Sequence, residues 1–260
     1  MNQSILLEIK NKIATITLNR REVFNSFNRE MALRLQKVLD DCETNPEVRA
    51  IVLTGNGKAF CAGQDLKEVT NPELNPGFKK ILEEHYNPII TRLRSIKKPI
   101  IGAINGVAAG AGANIALACD IVVAHNKVSF IQAFSLIGLV PDSGGTFFLP
   151  RLIGFQKAQA LAMLGDKISA GEAEKMGMIY KVVNLDEFEE TINQLALKLA
   201  NMPTKALGYI KELFNSSMTN TLEDQLALES KLQIDAASTD DYAEGVAAFI
   251  EKRKPIFKGK

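Results

Sequence analysis

The chain has 260 residues, 46% of them hydrophobic, which is enough for one large core or a core with a small appendage. Its 31 basic and 30 acidic residues leave a formal net charge of +1, so charge gives no general reason to expect a nucleic-acid partner. Apolar stretches such as Ile115 to Ala118 and Asp120 to Ala124 are broken by Cys or Asp far short of the roughly 20 residues that span a bilayer, which excludes a membrane helix.

Ile5 to Ile9 and Ile13 to Leu18 alternate apolar and polar residues around Lys10-Asn11-Lys12, the pattern of a hairpin. Asn28 is placed to cap a helix over Met31 to Cys42, where apolar residues recur at helical spacing. Ala50 to Thr54 reads as a short buried strand ending in the turn Gly55-Asn56-Gly57. A polar loop from Thr70 to Gly77 precedes a long amphipathic helix from Phe78 to Ile96. Pro99 to Ile104 is a buried strand, Gly110 to Cys119 a buried helix, and Ile121 to Ala124, Val128 to Phe130 and Ile179 to Val183 are further strands. Helices are predicted over Gly144 to Pro150, Gly154 to Leu164 and Ala170 to Met176. Strands alternating with helices across Gly-rich crossings argue for an α/β fold with largely buried sheets. After Asp186 the pattern becomes helical throughout: Phe188 to Ala200, Pro203 to Asn215, Thr221 to Ala237 and Asp240 to Lys252, with caps at Thr221 and Asp240. Apolar stripes on such helices are often buried against another subunit.

Three segments carry the chemistry. Cys61-Ala62-Gly63-Gln64-Asp65-Leu66 and Asn105 to Asn114 are rich in Gly and Ala, and Leu139-Val140-Pro141-Asp142-Ser143-Gly144-Gly145 adds an acid. Small residues let backbone approach a ligand, and the first N–H groups of a helix have no intrahelical partner. Two such donors aimed at one thioester oxygen stabilise an enolate, with Asp142 as the titratable group beside it. Pro-Asp-Ser-Gly-Gly before an apolar helix is also good capping sequence, so from spacing alone Asp142 reads equally as an N-cap. Cys42, Cys61 and Cys119 lack metal-ligand spacing and are odd in number, which predicts reduced thiols in a cytoplasm. Met1 to Lys10 shows no targeting pattern, and two histidines, His85 and His125, exclude a His-rich metal site.

In these segments, together with Thr17-Leu18-Asn19-Arg20, Lys98-Pro99-Ile100-Ile101 and Ile168-Ser169-Ala170, the chain resembles the enoyl-CoA hydratase/isomerase (crotonase) family over essentially its whole length. The resemblance implies a crotonase-like spiral of repeated ββα units. Residues 1–200 would form that core with the acyl-CoA site, and residues 201–260 a C-terminal helical region that builds trimers or dimers of trimers. It places the two oxyanion N–H groups on Gln64 and Ala111, and the CoA-binding loop on Ala62, Gly63, Gln64, Asp65 and Leu66. The substrate is an acyl-CoA thioester, so no separate cofactor and no metal is expected. Arg21 stands where the family usually has a proline after Asn19-Arg20.

Hydratases of the family carry carboxylates at two positions that here are Asn114 and Phe134. Neither is a general base, so hydration is disfavoured. Both are expected at the substrate pocket, Phe134 as its wall, and Asn114 also reads as a buried polar residue bonded to a neighbouring loop. Asp142 matches the position where isomerases of the family put their acid, while Asp65 reads as a brace of its loop. A finer resemblance runs through His85-Tyr86-Asn87-Pro88, Ala133-Phe134-Ser135, Thr219-Asn220-Thr221-Leu222 and Glu244-Gly245-Val246. It is to the branch of the family that converts a ring-epoxidised arylacetyl-CoA into a seven-membered oxepin-CoA in bacterial phenylacetate degradation. The alternatives are a double-bond isomerase or hydratase of fatty-acid oxidation and a noncatalytic acyl-CoA-binding protein. A dehalogenase-like use of Asp142 with a histidine lacks the usual Trp at position 134. His85 is expected at the surface or rim. The basic tail Lys252, Arg253, Lys254, Lys258 and Lys260 reads as a solvated run or as a partner of the CoA phosphates.

Overall fold

The structure is a computed structural model that describes residues 3–260, so the first two residues of the Met1 to Lys10 stretch lie outside it. The chain begins with the expected hairpin, β1 (Ile5–Lys10) and β2 (Ile13–Leu18). Lys10 pairs with Ile13 across a two-residue turn in which Asn11 and Lys12 both take positive φ, 52° and 64°. That backbone twist matches the twist of the paired strands.

From there one pattern repeats. β3 (Ala50–Gly55) is followed by β4 (Ala59–Cys61), β5 (Ile100–Ile104) by β6 (Val107–Ala109), and β7 (Ile121–His125) by β8 (Ser129–Ile131). The first strand of each pair joins a six-stranded sheet and the second a four-stranded one. The sheets are completed by β9 (Lys167–Ser169) and β10 (Lys181–Val183), giving the orders β1-β2-β3-β5-β7-β10 and β4-β6-β8-β9. This is the expected spiral of ββα units. Strands β3 and β5 are apolar and almost wholly buried, as parallel strands covered on both faces must be. The corners between paired strands are stitched together: Asn105 accepts from Gly55 N and donates to the Gly57 carbonyl, and His125 Nε2 lies 2.9 Å from the Asn105 carbonyl. A side chain at Gly106 would overlap the Lys58 backbone.

Strands β4, β6 and β9, each only three residues long, carry too little alternation to be read from sequence. The helix over Gly145–Ile153 runs past Pro150 and stops at Gly154, whose φ is 79°. The long helix beginning at Phe78 is interrupted by a π-helical stretch over Ile81–Tyr86 before it resumes as Asn87–Ser95. Pro88 accounts for this, because it has no N–H to offer and its ring displaces the carbonyl of Glu84. That carbonyl accepts instead from Gln36 Nε2 at 2.7 Å, and Asn87 N reaches back to Leu82 O.

The main core fills the space between the two sheets and the helices Arg29–Thr44 and Ala111–Leu117. A second apolar layer forms where Phe188–Ala200 crosses the outer face of the six-stranded sheet. The last helices are Thr204–Ser216, Leu222–Ala237 and Asp240–Ile250. Thr221 caps the second as expected; the third is capped by Thr239 rather than Asp240, its side chain accepting from Tyr242 N. Lys211, buried, pairs with Asp120 at 2.8 Å and ties this layer to the core. The tail folds back on the protein: Asp241 accepts from the backbone N–H groups of Lys258 and Gly259, and buried Arg49 donates to the Phe257 carbonyl. Arg253 of the basic run is committed to Glu244 and Glu251. No helix among the described residues is long and apolar enough to cross a membrane.

Candidate active site

The loop after β4 is clamped on both sides of Gln64. Phe27 N donates to Gly63 O (2.7 Å) and Asp65 N donates to Phe27 O (2.8 Å), which leaves the Gln64 N–H with no acceptor among the described residues. Gly63 has φ 92°, and a Cβ there would stand 3.0 Å from Ala109 O and 3.5 Å from Ala111 N, so only glycine lets the two Gly/Ala segments meet. Asp65 is buried; its Oδ2 pairs with Arg20 at 2.8 Å and its Oδ1 accepts from Lys67 N, capping the helix Leu66–Thr70. It braces the loop and does not border the cavity described below.

The second donor comes from the start of the buried helix Ala111–Leu117. Gly110 N donates to Ile131 O, and the Ala111 N–H, first in the helix, has no acceptor among the described residues. Gly112 rests directly on the Cys61 carbonyl, where any side chain would collide. The helix N-terminus is thereby held against the Gln64 loop.

Asp142 lines, with both of these residues, a cavity of about 760 Å3. Its side chain caps no helix: Gly144 occupies the N-cap of Gly145–Ile153, and among the described residues the Asp142 carboxylate accepts only from the Ser143 hydroxyl (2.8 Å). Burial pushes the Asp142 pKa up to about 6, the Ser143 bond pulling it weakly the other way. Gln64, Ala111, Phe134 and Asp142 all line the cavity, as do Ala62, Gly63 and Leu66. The remaining wall is mostly apolar, from Ile81, Leu82, Leu136, Ile137 and Leu139, and among the described residues it includes no Lys, Arg, His or Glu. Asn114, expected at the pocket, is fully buried behind it, donating to the Asp142 carbonyl and accepting from Gln132.

Tyr86, which the sequence offers only within a matching segment, belongs to the site. The π stretch turns it inward, where it lines the cavity and its hydroxyl donates to Gln64 Oε1 at 2.9 Å. Gln64 Nε2 in turn donates to buried Glu68 (2.8 Å), which also accepts from Arg29 N (2.8 Å). A polar chain thus fixes the side chain of the residue whose N–H has no acceptor among the described residues. Burial raises the Tyr86 pKa well above the ordinary phenol value, so the group acts as a neutral donor. Pro88 was the available signal, since a proline inside a helical pattern announces an irregular turn just before it. His85 is a correction: it is 1% exposed rather than at the rim, and it does not border the cavity. Its Nε2 lies 3.1 Å from Arg29 Nη1, and because Arg only donates, that nitrogen is the acceptor and the ring is neutral. Burial lowers the His85 pKa, in keeping with the neutral form.

Two backbone N–H groups without an acceptor among the described residues and one acid of raised pKa thus line the same largely apolar cavity. The sequence model of the enoyl-CoA hydratase/isomerase family matches residues 8–260. The chain is 47% identical to the 1,2-epoxyphenylacetyl-CoA isomerase of Escherichia coli, over the full length of both. It is 36% identical to the trans-2-decenoyl-[acyl-carrier-protein] isomerase of Streptococcus mutans over 99% of each chain. Among solved structures, the enoyl-CoA hydratase from Bacillus anthracis superposes with a TM-score of 0.92 at 33% identity, covering 99% of this chain and 100% of the other. The chain is an enzyme of the enoyl-CoA hydratase/isomerase family.

Proposed function

We propose that this enzyme is an acyl-CoA isomerase in which Asp142 relocates a proton on an enolate held by the Gln64 and Ala111 amides. The thioester oxygen lies between the two N–H groups, each lowering the cost of negative charge by about 3 to 4 kcal/mol. The Asp142 carboxylate takes the α-proton, and the C–H electron pair becomes the enolate double bond as the carbonyl oxygen gains charge. The carboxyl then returns the same proton at the vinylogous carbon, so composition is unchanged and the double bond has moved. With a ring-epoxidised phenylacetyl-CoA, which we infer to be the physiological substrate, opening of the strained epoxide to the oxepin accompanies this shift. A carboxylate near pKa 4 is a weak base; desolvation by Phe134 and the apolar wall strengthens it.

The single observation that carries this reading is that Asp142 is, among the described residues, the one carboxylate lining the cavity. Hydration needs a group to activate water and a second to deliver a proton. Asn114 is turned away from the cavity and Phe134 cannot titrate. A pure binder has no need of an acid whose burial raises its pKa beside two unpaired amide donors. The exposed apolar side chains of the last helices, among them Phe214, Ile234, Phe249 and Ile250, support self-association into a trimer or a pair of trimers.

The test is turnover of 3-enoyl-CoA and ring-epoxidised phenylacetyl-CoA, followed by mass and absorbance, with hydration of crotonyl-CoA as control. Isomerised product of unchanged mass from either ester supports the reading, and the better substrate names the acyl group. Rapid hydration of crotonyl-CoA with no isomerisation overturns it, and tight binding without turnover favours the binder.

A further inference from the structure

A second, smaller pocket of about 220 Å3 lies behind the Asp142 loop, walled by Pro141, Leu149, Pro150 and Phe155 and bordered by Gln132. Between the two pockets runs a chain of amides. Gln132 Nε2 donates to Asn114 Oδ1 at 2.8 Å, and Asn114 Nδ2 donates to the main-chain carbonyl of Asp142 at 2.8 Å. Asn114 is 0% and Gln132 5% exposed, and Gln132 Oε1 has no partner among the described residues. The polarity of the chain is forced from one end. A carbonyl can only accept, so Asn114 must present its NH2 to Asp142 and its oxygen to Gln132, which must then present its own NH2.

The turn at the end of this chain is unusual. Ser143 and Gly144 both have positive φ, 51° and 73°, a conformation that costs a serine free energy and persists only where neighbours hold it. The Asp142 carbonyl is pinned twice, by Asn114 and by Gly145 N at 2.9 Å. Gly145 fits so closely that a side chain there would overlap the Asn114 amide. Pinning the carbonyl fixes the Asp142 backbone and hence the direction in which its carboxylate leaves the chain. Filling the space behind the pocket needs only apolar atoms. Two buried amides, one of them with its oxygen left unpartnered, are costly filler, because a buried polar group without a partner destabilises the fold.

We propose that Asn114 and Gln132 are positioning residues, an amide strut that holds the strained Asp142–Gly144 turn so that the acid addresses the cavity. The proposal rests on the reading of Asp142 as the acid. The titratable groups lining the cavity at this corner are Asp142 and Tyr86, and among the described residues no Lys, Arg, His or Glu lines it. A freed turn exposes the carboxylate to water, so the acidic limb of the pH profile moves down with loss of the strut.

The experiment measures kcat, KM and pH profiles for 3-enoyl-CoA isomerisation by wild type, Asn114→Leu, Asn114→Asp, Gln132→Met and Asp142→Asn, with thermal unfolding alongside. Asn114→Leu is expected to lower kcat roughly 10- to 100-fold, with KM within about threefold and the acidic limb at lower pH, since misplacement of a reacting group by about 1 Å costs this much. Gln132→Met shows the same pattern more weakly. Asn114→Asp is the conservative rescue: its protonated carboxyl can donate to Asp142 and accept from Gln132, while its ionised form cannot donate. Activity should approach wild type at low pH and fall as the new group ionises, a descending limb that a merely structural role would not create. If Asn114→Leu does not fold, the Asn114→Asp profile decides alone, and a profile identical to wild type overturns the strut. Wild-type kcat and limb in both Asn114→Leu and Gln132→Met, with Asp142→Asn inactive, sinks the strut and leaves the acid assignment standing. Full activity in Asp142→Asn sinks the acid assignment itself.

Discussion

The two sides of the cavity are built on opposite principles. On the donor side the Gln64 segment is tied down by polar contacts: Phe27 on both flanks, Arg20 to Asp65, Tyr86 to Gln64 and Gln64 to Glu68. On the acid side the main chain of Asp142 is pinned, but its carboxylate has one neutral hydrogen bond and an apolar wall. The contrast follows from what each side has to do. Amide donors gain their effect from fixed position, so bonds that immobilise them are favourable. A carboxylate base is strengthened by the lack of bonds, because each donor to its charged form lowers the pKa.

Apart from loss of the acid itself, the comparison breaks most severely where a donor is removed without disturbing the helix that supplies it. Ala111 is the first helical residue, a position that tolerates proline, so Ala111→Pro deletes the N–H and keeps the fold. We expect isomerisation kcat to fall by about 10²- to 10³-fold with thermal stability little changed, as read by steady-state kinetics and calorimetry. Activity within twofold of wild type would show that this amide holds no charge. Next in size is Tyr86→Phe, which leaves the Gln64 carbonyl oxygen and a buried polar chain short of a donor. Its expected cost is about tenfold in kcat and about 1 kcal/mol in stability by denaturant titration.

The acid side responds through pH. A folded-state pKa of about 6 against 3.8 for the unfolded chain means that the native protein binds the Asp142 proton more tightly, so stability declines as pH rises from below 4 to above 6. Asp142→Asn removes that decline: its Tm should exceed that of wild type at pH 8 and equal it near pH 4, and scanning calorimetry at the two pH values checks the sign. The smallest effect is that of Ser143→Ala. The hydroxyl bond lowers the Asp142 pKa, so its loss should move the acidic limb of kcat/KM to higher pH while the maximal rate holds.

How much of this was legible in the sequence depended on the range of the contacts. The hairpin, the Asn28 cap, the buried helix after Gly110 and the C-terminal helices rest on local periodicity and capping. Strands β4, β6 and β9 of the smaller sheet do not, because their partners are supplied by distant parts of the chain, whereas β8 was marked by Val128 to Phe130. The segments carrying Gln64, Ala111 and Asp142 were marked by small residues and one acid, and the structure brings them to one cavity. Tyr86 was quoted only within a matching segment and given no role at the site, and Glu68 and Gln132 were given none either, since a glutamate and a glutamine in amphipathic or loop sequence look like ordinary surface until tertiary contacts turn them inward. Asp142 showed both limits at once: its sequence neighbours read as a helix cap, and only the fold shows Gly144 in that position.

The most direct measurement is the rate of 3-enoyl-CoA isomerisation by wild type and Asp142→Asn between pH 5 and 9, with the affinity of each for a CoA ester. The account predicts that wild-type activity rises with pH through a limb near 6. It predicts that Asp142→Asn binds the ester within a few-fold of wild type and isomerises it at least about 10³-fold more slowly at every pH. A substituted enzyme that isomerises at close to the wild-type rate, with the same acidic limb, would mean that another group carries the proton.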